Sequence, residues 1–397
     1  MAGTSVGRSW LVPVGALLIA VFAVCTSELI ITGLLPALAT DLGVDIPTAG
    51  LLITGYAVGV AVAGPLLALA TASLPRRGLL LAVMVVFIAG NVFCALAGSY
   101  GMLLAARLVL SACHGLFFGV AMVIAVKLAP PGRQATAISV VTAGVNMATI
   151  VGVPLGTAIG NAYGWRMPFW IIVAAGIAAT LILVALIPAS PKEERSSSDF
   201  RTELAVTLRP IVLISFVIII MSLIAFFNLI SYLVPLLTNV SGVPLSLVPW
   251  ILFAMGIAGF FGNLLGGRLG DWNPTLTVTG SIATNALLFL CLWLFTSNSG
   301  VVAVLLCMIW LVGFMFLAPV QTRVLKEVSE APNFASTLLS TSFQVGIAAG
   351  AAIGGAVIAT GWGYAQLPVV SAVFLGLSLL TNLGLMAYDR RLKAKLA

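Results

Sequence analysis

The chain has 397 residues, 61% of them hydrophobic and only 7% charged, with eleven acids against eighteen bases. Soluble domains carry about 25% charge because water must meet a polar surface. This composition therefore excludes a soluble enzyme, a nucleic-acid binder, a disulfide-stapled secreted domain and a disordered chain. About 242 hydrophobic residues, at ~20 per membrane-spanning helix, furnish about twelve spans.

In chain order, apolar runs between polar breaks predict spans over 11–37, 47–70, 79–98, 101–126, 135–160, 168–188, 211–237, 246–269, 275–296, 301–322, 335–360 and 366–388. The first run carries a cleavage-like Ala37-Leu38-Ala39, but it is too long for a signal h-region and Glu28 interrupts it. It is therefore expected to stay as a mature helix. Lipid offers the backbone no partners, so runs of this length must be helices, whereas a barrel would show short alternating strands. The fold class is all-α integral membrane. The five cysteines, Cys25, Cys94, Cys113, Cys291 and Cys307, all fall inside apolar runs without metal-ligand spacing, which predicts buried thiols and no disulfides.

The only long polar stretch runs from Pro188 to Pro210. It divides the chain into an N-terminal six-helix half (1–188), a linker (189–210) and a C-terminal six-helix half (211–397). Loop charges orient the bundle. The N-terminus and even-numbered loops carry Arg8, Arg76, Arg77, Lys127, Arg133, Lys192, Arg195, Arg201, Arg209, Arg268, Arg323 and Lys326, and the tail adds Arg390, Arg391, Lys393 and Lys395. The opposite side holds only Arg166, so the termini and linker are expected in the cytoplasm. The halves also echo each other at an offset of 198 to 199. Pro36 matches Pro235, and Asn146, Gly152 and Gly156 match Gln344, Gly350 and Gly354. Duplicated halves that hold a substrate between them are a transporter architecture.

Several motifs now converge. Ser27-Glu28-Leu29 precedes Gly33-Leu34-Leu35-Pro36, and Arg107-Leu108-Val109 precedes His114-Gly115-Leu116-Phe117-Phe118-Gly119. Gly152-Val153-Pro154-Leu155-Gly156 is followed by Gly164-Trp165-Arg166. Across nearly the whole chain this resembles the major facilitator superfamily. It is closest to the drug:proton antiporter group with its chloramphenicol exporters, purine-nucleoside efflux pumps and sugar-efflux permeases. The His-Gly-x-Phe-Phe-Gly run resembles the sugar-efflux branch in particular. The family's usual Gly-x-Leu-x-Asp-Arg-x-Gly-Arg-Lys loop is split here. The first half keeps Arg76 and Arg77 without the acid, and the second keeps Gly267, Leu269 and Asp271 without the basic tail. One expectation is that Asp271 meets Arg76, Arg77 or a helix N-terminus when the cytoplasmic side closes.

Glu28 is the only acid well inside a span. A charge at mid-bilayer costs about 2.5–3.5 kcal/mol on insertion scales, so it is rarely idle. It is either a proton site or the structural partner of a buried base. Counted from the non-cytoplasmic face, Glu28 lies ~15 Å deep and Arg107 ~10 Å deep. The two meet if the first and fourth helices pack together, as the resemblance implies, and Arg107 then tunes Glu28; otherwise Arg107 snorkels to the interface. His114 lies two turns beyond Arg107, and an imidazole with an ordinary pKa of about 6.5 suits proton exchange, although a lone helical histidine is usually a satisfied interior residue.

The repeat sets Phe227 opposite Glu28, with no buried charge around Gly313. That asymmetry suggests proton handling in the first half and substrate shaping in the second. Phe226, Phe227, Asn228, Ser231 and Tyr232, before a helix-breaking Pro235, form a candidate wall for a ring-bearing ligand, or ordinary packing. Tyr56, Asn146, Gln321 and Gln344 lie on spans that line the cavity by resemblance. Gly152, Pro154 and Gly156, with Gly160, let the fifth helix bend and approach a neighbour, which suits gating as well as packing. Gly346, Gly350, Gly354 and Gly355 do so in the eleventh.

No Gly-Lys-Ser/Thr phosphate loop, nucleophile–base pair or dinucleotide fingerprint is present, so neither ATP nor enzyme chemistry is supported. The sequence reads as a monomeric bacterial inner-membrane exporter of small organic molecules. It needs no cofactor beyond a proton gradient, and its partners are substrate, protons and lipid, not nucleic acid. An uncoupled sugar or nucleoside carrier and a non-transporting scaffold or sensor are the alternatives.

Overall fold

The computed structural model describes residues 10–71, 74–130, 132–187, 208–327 and 332–396. Arg8, Lys192, Arg195, Arg201 and most of the 189–210 linker lie outside the described residues, as do the side chains of Lys326, Arg390, Arg391, Lys393 and Lys395. Among the described residues there are no strands, and twelve helices are long and apolar enough to cross a membrane. They are α1 (Leu11–Leu42), α2 (Ile46–Ala70), α3 (Arg76–Ala95), α4 (Tyr100–Leu128), α5 (Gln134–Tyr163), α6 (Met167–Leu186), α7 (Pro210–Ile230), α8 (Val248–Trp272), α9 (Pro274–Leu294), α10 (Ser299–Glu327), α11 (Pro332–Ala359) and α12 (Leu367–Leu396).

Local signals set the ends. Gly43 closes α1 with φ 65°, a left-handed turn that a side chain would strain. Ser99 accepts from the Met102 amide to cap α4, and Asn273 accepts from the Leu276 amide to cap α9. Prolines 168, 210, 249 and 274 stand in the first turns of α6, α7, α8 and α9, where the missing N–H costs nothing.

Three spans differ from the hydropathy reading. At 32 residues α1 is about 48 Å long, well beyond a ~30 Å hydrocarbon core, and it passes through Pro36 without stopping. The seventh span is not one helix: α7 ends at Ile230, and after a turn at Ser231 and Tyr232 a short helix runs Leu233–Asn239. Pro235 explains this, because it has no N–H to offer the Ser231 carbonyl. Hydropathy sees only apolar side chains and reads through the break. The fifth span contains a π-turn over Ala148–Gly152, with the Val153 amide donating five residues back to the Ala148 carbonyl. Pro154 follows directly and lacks a donor, which loosens the ladder at that level.

The helices form two compact units: Met1–Asp45 with Gly55–Ser196, and Ile46–Thr54 with Ser197–Ala397. In the first unit α1 is the most buried helix, packed on α4, α5 and α6, while α3 packs on α4 and α6. In the second, α7 packs on α10, α11 and α12, α8 on α10, and α9 on α10 and α12.

Small residues let these helices touch backbone to backbone. A Cβ added at Gly115 of α4 would lie 2.7 Å from the Gly64 Cα of α2, and backbone there cannot yield. Gly115→Val is therefore expected to destabilise the first unit by about 2–3 kcal/mol, the scale of overpacking. A melting temperature unchanged in detergent would contradict this.

Candidate proton site and the counterpart in the second unit

Glu28 sits in the middle of α1, 17 residues after Leu11 and 14 before Leu42, or ~26 Å and ~21 Å from the ends. Its side chain is 14% exposed, and one carboxylate oxygen lies 3.5 Å from Nδ1 of His114 on α4. The same Nδ1 is 3.1 Å from the Tyr56 hydroxyl on α2. His114 is edge-on to the Tyr56 ring and stacked on Phe118 one turn along. A single imidazole nitrogen thus faces a phenol and a carboxylate. Without its proton it accepts from Tyr56; with one it donates to Glu28.

Arg107 is fully buried on α4. The guanidinium follows neither alternative that the sequence left open: it does not pair with the Glu28 carboxylate and it does not snorkel. Nη1 donates to the Ser27 carbonyl at 2.6 Å and Nη2 to the Glu28 carbonyl at 3.0 Å. The cation lies 4.1 Å from the centre of the Tyr56 ring. Its planar fork matches two successive carbonyls on α1, and the ring face takes up part of the remaining charge. Arg107 therefore grips the backbone that carries Glu28 and leaves the carboxylate to His114.

Ser27, singled out in the sequence only within a motif, and Asn91, not singled out there, complete the cluster. Ser27 donates to the amide oxygen of Asn91 on α3 at 2.7 Å, and the Asn91 NH2 donates to the Phe87 carbonyl at 2.8 Å. Both side chains are fully buried. The available signal was an asparagine inside the apolar run Phe-Ile-Ala-Gly-Asn-Val-Phe.

The glycines of the fifth span face α1. A Cβ at Gly152 would strike Thr26, one at Gly156 Ile30 and one at Gly160 Leu34. In the second unit, Gly346, Gly350 and Gly354 face α7 at Ile220 and Leu223, at Ile224, Phe227 and Asn228, and at Asn228 and Tyr232, with Gly355 also against Tyr232. Thr26 therefore corresponds to Ile224 and Ile30 to Asn228, an offset of 198. At that offset Phe226 stands opposite Glu28, next to the Phe227 that the 199 spacing of Pro36 and Pro235 sets there. Phe226 packs edge-on against Phe289 and Trp310 and covers Gly313. Where the first unit holds a polar cluster, the second holds rings.

The remaining candidates fall as follows. Asn228 is buried, and its NH2 donates to the Leu367 carbonyl and the Ser371 hydroxyl on α12. Tyr232 is buried and donates to the Ala351 carbonyl on α11, while Ser231 is fully buried. Asn228 thus ties α7 to α12 and Tyr232 ties the turn after α7 to α11, whereas the Ser231 hydroxyl and the Asn228 amide oxygen are enclosed without a partner. Phe227, Asn146, Gln321 and Gln344 are half-buried, and the amide oxygen of Gln344 is enclosed without a partner. Arg77 donates to the Val184 carbonyl at the end of α6. Asp271 is exposed in the last turn of α8, and the neighbouring helix start is capped by Asn273 instead. Near the Gly43 end of α1, Asp41 accepts from the Trp165 indole at 3.0 Å and from Arg166 at 2.7 Å, so Gly164-Trp165-Arg166 fastens α1 to the start of α6. Among the described residues no group of three or more histidine, cysteine or acidic side chains can hold a metal.

The comparisons with known proteins agree with this architecture. The inner membrane transport protein YdhP of Escherichia coli (strain K12) is 35% identical over 368 residues, covering 93% of this chain and 94% of that protein. The uncharacterized MFS-type transporter YtbD of Bacillus subtilis (strain 168) is 36% identical over 383 residues, covering 94% and 96%. Among solved structures, a bacterial homolog of the human lysosomal transporter Spinster, in an inward-facing and occupied conformation, matches with a TM-score of 0.79 at 17% identity, covering 97% of this chain and 98% of that one. The Major Facilitator Superfamily model matches residues 17–351. The protein is a multi-pass membrane transporter of the secondary kind, and the chain belongs to the major facilitator superfamily.

Proposed function

We propose that the protein is a proton-coupled exporter of small organic molecules in a bacterial inner membrane, acting by alternating access as a monomer with both termini in the cytoplasm. The observation that carries this reading is the geometry at His114 Nδ1, which lies within reach of one titratable carboxylate and one phenol in a bilayer-spanning unit. A proton arriving from outside neutralises Glu28 and frees His114 to bond Tyr56; its departure restores the carboxylate and draws the imidazole back. Each change alters what holds α1 to α4, the kind of local event that biases a transporter between its two states. The gradient is the energy source.

The cargo fits the second unit's chemistry. Phe226, with Phe289 and Trp310 behind it, offers rings and no charge, and the first unit carries Glu28 at the middle of a span. Neutral or weakly basic ring-bearing molecules suit that combination better than anions. The test begins with purified protein and a thermal-shift screen across phenicols, nucleosides and sugars. The stabilising compound is then followed in proteoliposomes under an imposed pH gradient. Uphill movement that stops when a protonophore collapses the gradient is the expected result. Counterflow indifferent to pH would replace this reading with an uncoupled carrier, and no flux of any stabilising compound would overturn it.

A further inference from the structure

The Ser27–Asn91 hydrogen bond joins α1 to α3 one residue from Glu28, and nothing in ordinary packing calls for a polar contact at that crossing. The second unit shows why. Its counterpart of Asn91, at the same offset of 198, is Phe289, and Phe289 meets Phe226 with ring centroids 5.8 Å apart. At that offset Ser27 corresponds to Ala225, which has no hydroxyl, so in the second half Phe289 packs on the next residue, Phe226, where in the first half Asn91 bonds Ser27.

The second unit does have an asparagine on α9, one turn earlier at Asn285. Its amide, oriented by its partners, bridges the Ile309 carbonyl and the Gly313 amide of α10. Asparagine and phenylalanine have exchanged places between Phe87/Asn91 and Asn285/Phe289. Only in the first unit does the amide stand at the level of the acid.

We infer that Asn91 is a positioning residue for the proton site, acting through Ser27 to fix the rotation of α1 and hence the placement of the Glu28 carboxylate against His114. Ser27 is held from two sides: its hydroxyl binds Asn91 while its carbonyl accepts from Arg107. The hydroxyl has nowhere to go but Asn91 or its own helix, since a serine released from a tertiary partner turns back to the carbonyl one turn earlier and bends the helix there. Glu28 is the next residue, and its carbonyl takes the other guanidinium nitrogen. A small rotation of α1 therefore moves the carboxylate relative to the imidazole at 3.5 Å. This inference rests on Glu28 being the proton site, so its test reads that protonation directly and apart from transport.

The full-length protein in lipid is titrated by infrared difference spectroscopy, following the protonated-carboxyl C=O band that Glu28→Gln removes. Asn91→Leu and Ser27→Ala are each expected to move the midpoint of that band by about one pH unit, a tenfold change in proton affinity. The double variant should move no further than either single, because both remove one bond. Asn91→Thr keeps an acceptor for Ser27 and should stay near the wild-type midpoint, which guards against misfolding of the leucine variant. A lower melting temperature with an unmoved midpoint would show a structural bond only and overturn the inference, as would additive shifts. A Glu28 band that titrates in wild type and shifts with Asn91→Leu, in a protein showing no gradient-driven flux, would overturn the proposed coupling while leaving Asn91 its role.

Discussion

Glu28→Gln is expected to lose gradient-driven export by about 100-fold or more, the scale on which a positioned proton-transferring group acts. Substrate affinity should stay within about fivefold, less than 1 kcal/mol. Glutamine matches glutamate in shape and can still bond His114, so the pocket keeps its form; it cannot take up or release a proton, so the cycle loses its coupling. Affinity is read by thermal shift or calorimetry, and export by the accumulation of the same compound in proteoliposomes with and without a pH gradient. The two readouts must separate. Undiminished uphill export in the variant would remove Glu28 from the mechanism. Loss of binding and transport together would make Glu28 a substrate ligand or a structural residue, not a proton carrier.

How much of this was legible in the sequence varied with the kind of physics involved. The number and type of the elements follow from a single transfer free energy: apolar runs must span, and spans must be helical. Breaks within a span were legible in part: Pro235 read as a helix breaker and α7 does end before it, whereas Pro36, alike in composition, is carried through α1. The difference lies in what each neighbourhood offers the orphaned carbonyl, which is tertiary information.

At the site, Glu28, Arg107 and His114 announced themselves as rare charges in lipid. Their wiring did not. An arginine and an acid in adjacent helices suggest an ion pair, but the guanidinium found two carbonyls and an aromatic face instead. Asn91 stayed hidden because a neutral amide barely alters hydropathy. The aromatic wall read equally as a ligand-facing surface or as packing in a linear string, and only the fold shows that the Asn228 NH2 and the Tyr232 hydroxyl bond α12 and α11.

The wiring of Arg107 makes a second large effect predictable, with stability and activity moving apart. Burying a guanidinium costs several kcal/mol of lost hydration. Two charge-assisted hydrogen bonds at about 1.5–3 kcal/mol each and a desolvated cation–π contact of about 2 kcal/mol roughly offset it. Arg107→Met removes both sides of that balance. The Ser27 and Glu28 carbonyls lie inside α1 and keep their helical amides, so no acceptor is stranded. The unbranched thioether fills most of the vacated space. The folded protein should therefore change in stability by no more than about 1.5 kcal/mol, near neutrality for replacing a buried ion by an apolar side chain. Transport should still fall by about 100-fold, since Glu28 and His114 lose the fixed positive charge of Arg107 beside them and Tyr56 loses the cation over its ring. Thermal denaturation and export assays on one preparation check both halves. A variant that melts several degrees lower and is inactive would show Arg107 to be chiefly a structural tie. A stable variant with full export would show that the acid and imidazole cycle without it.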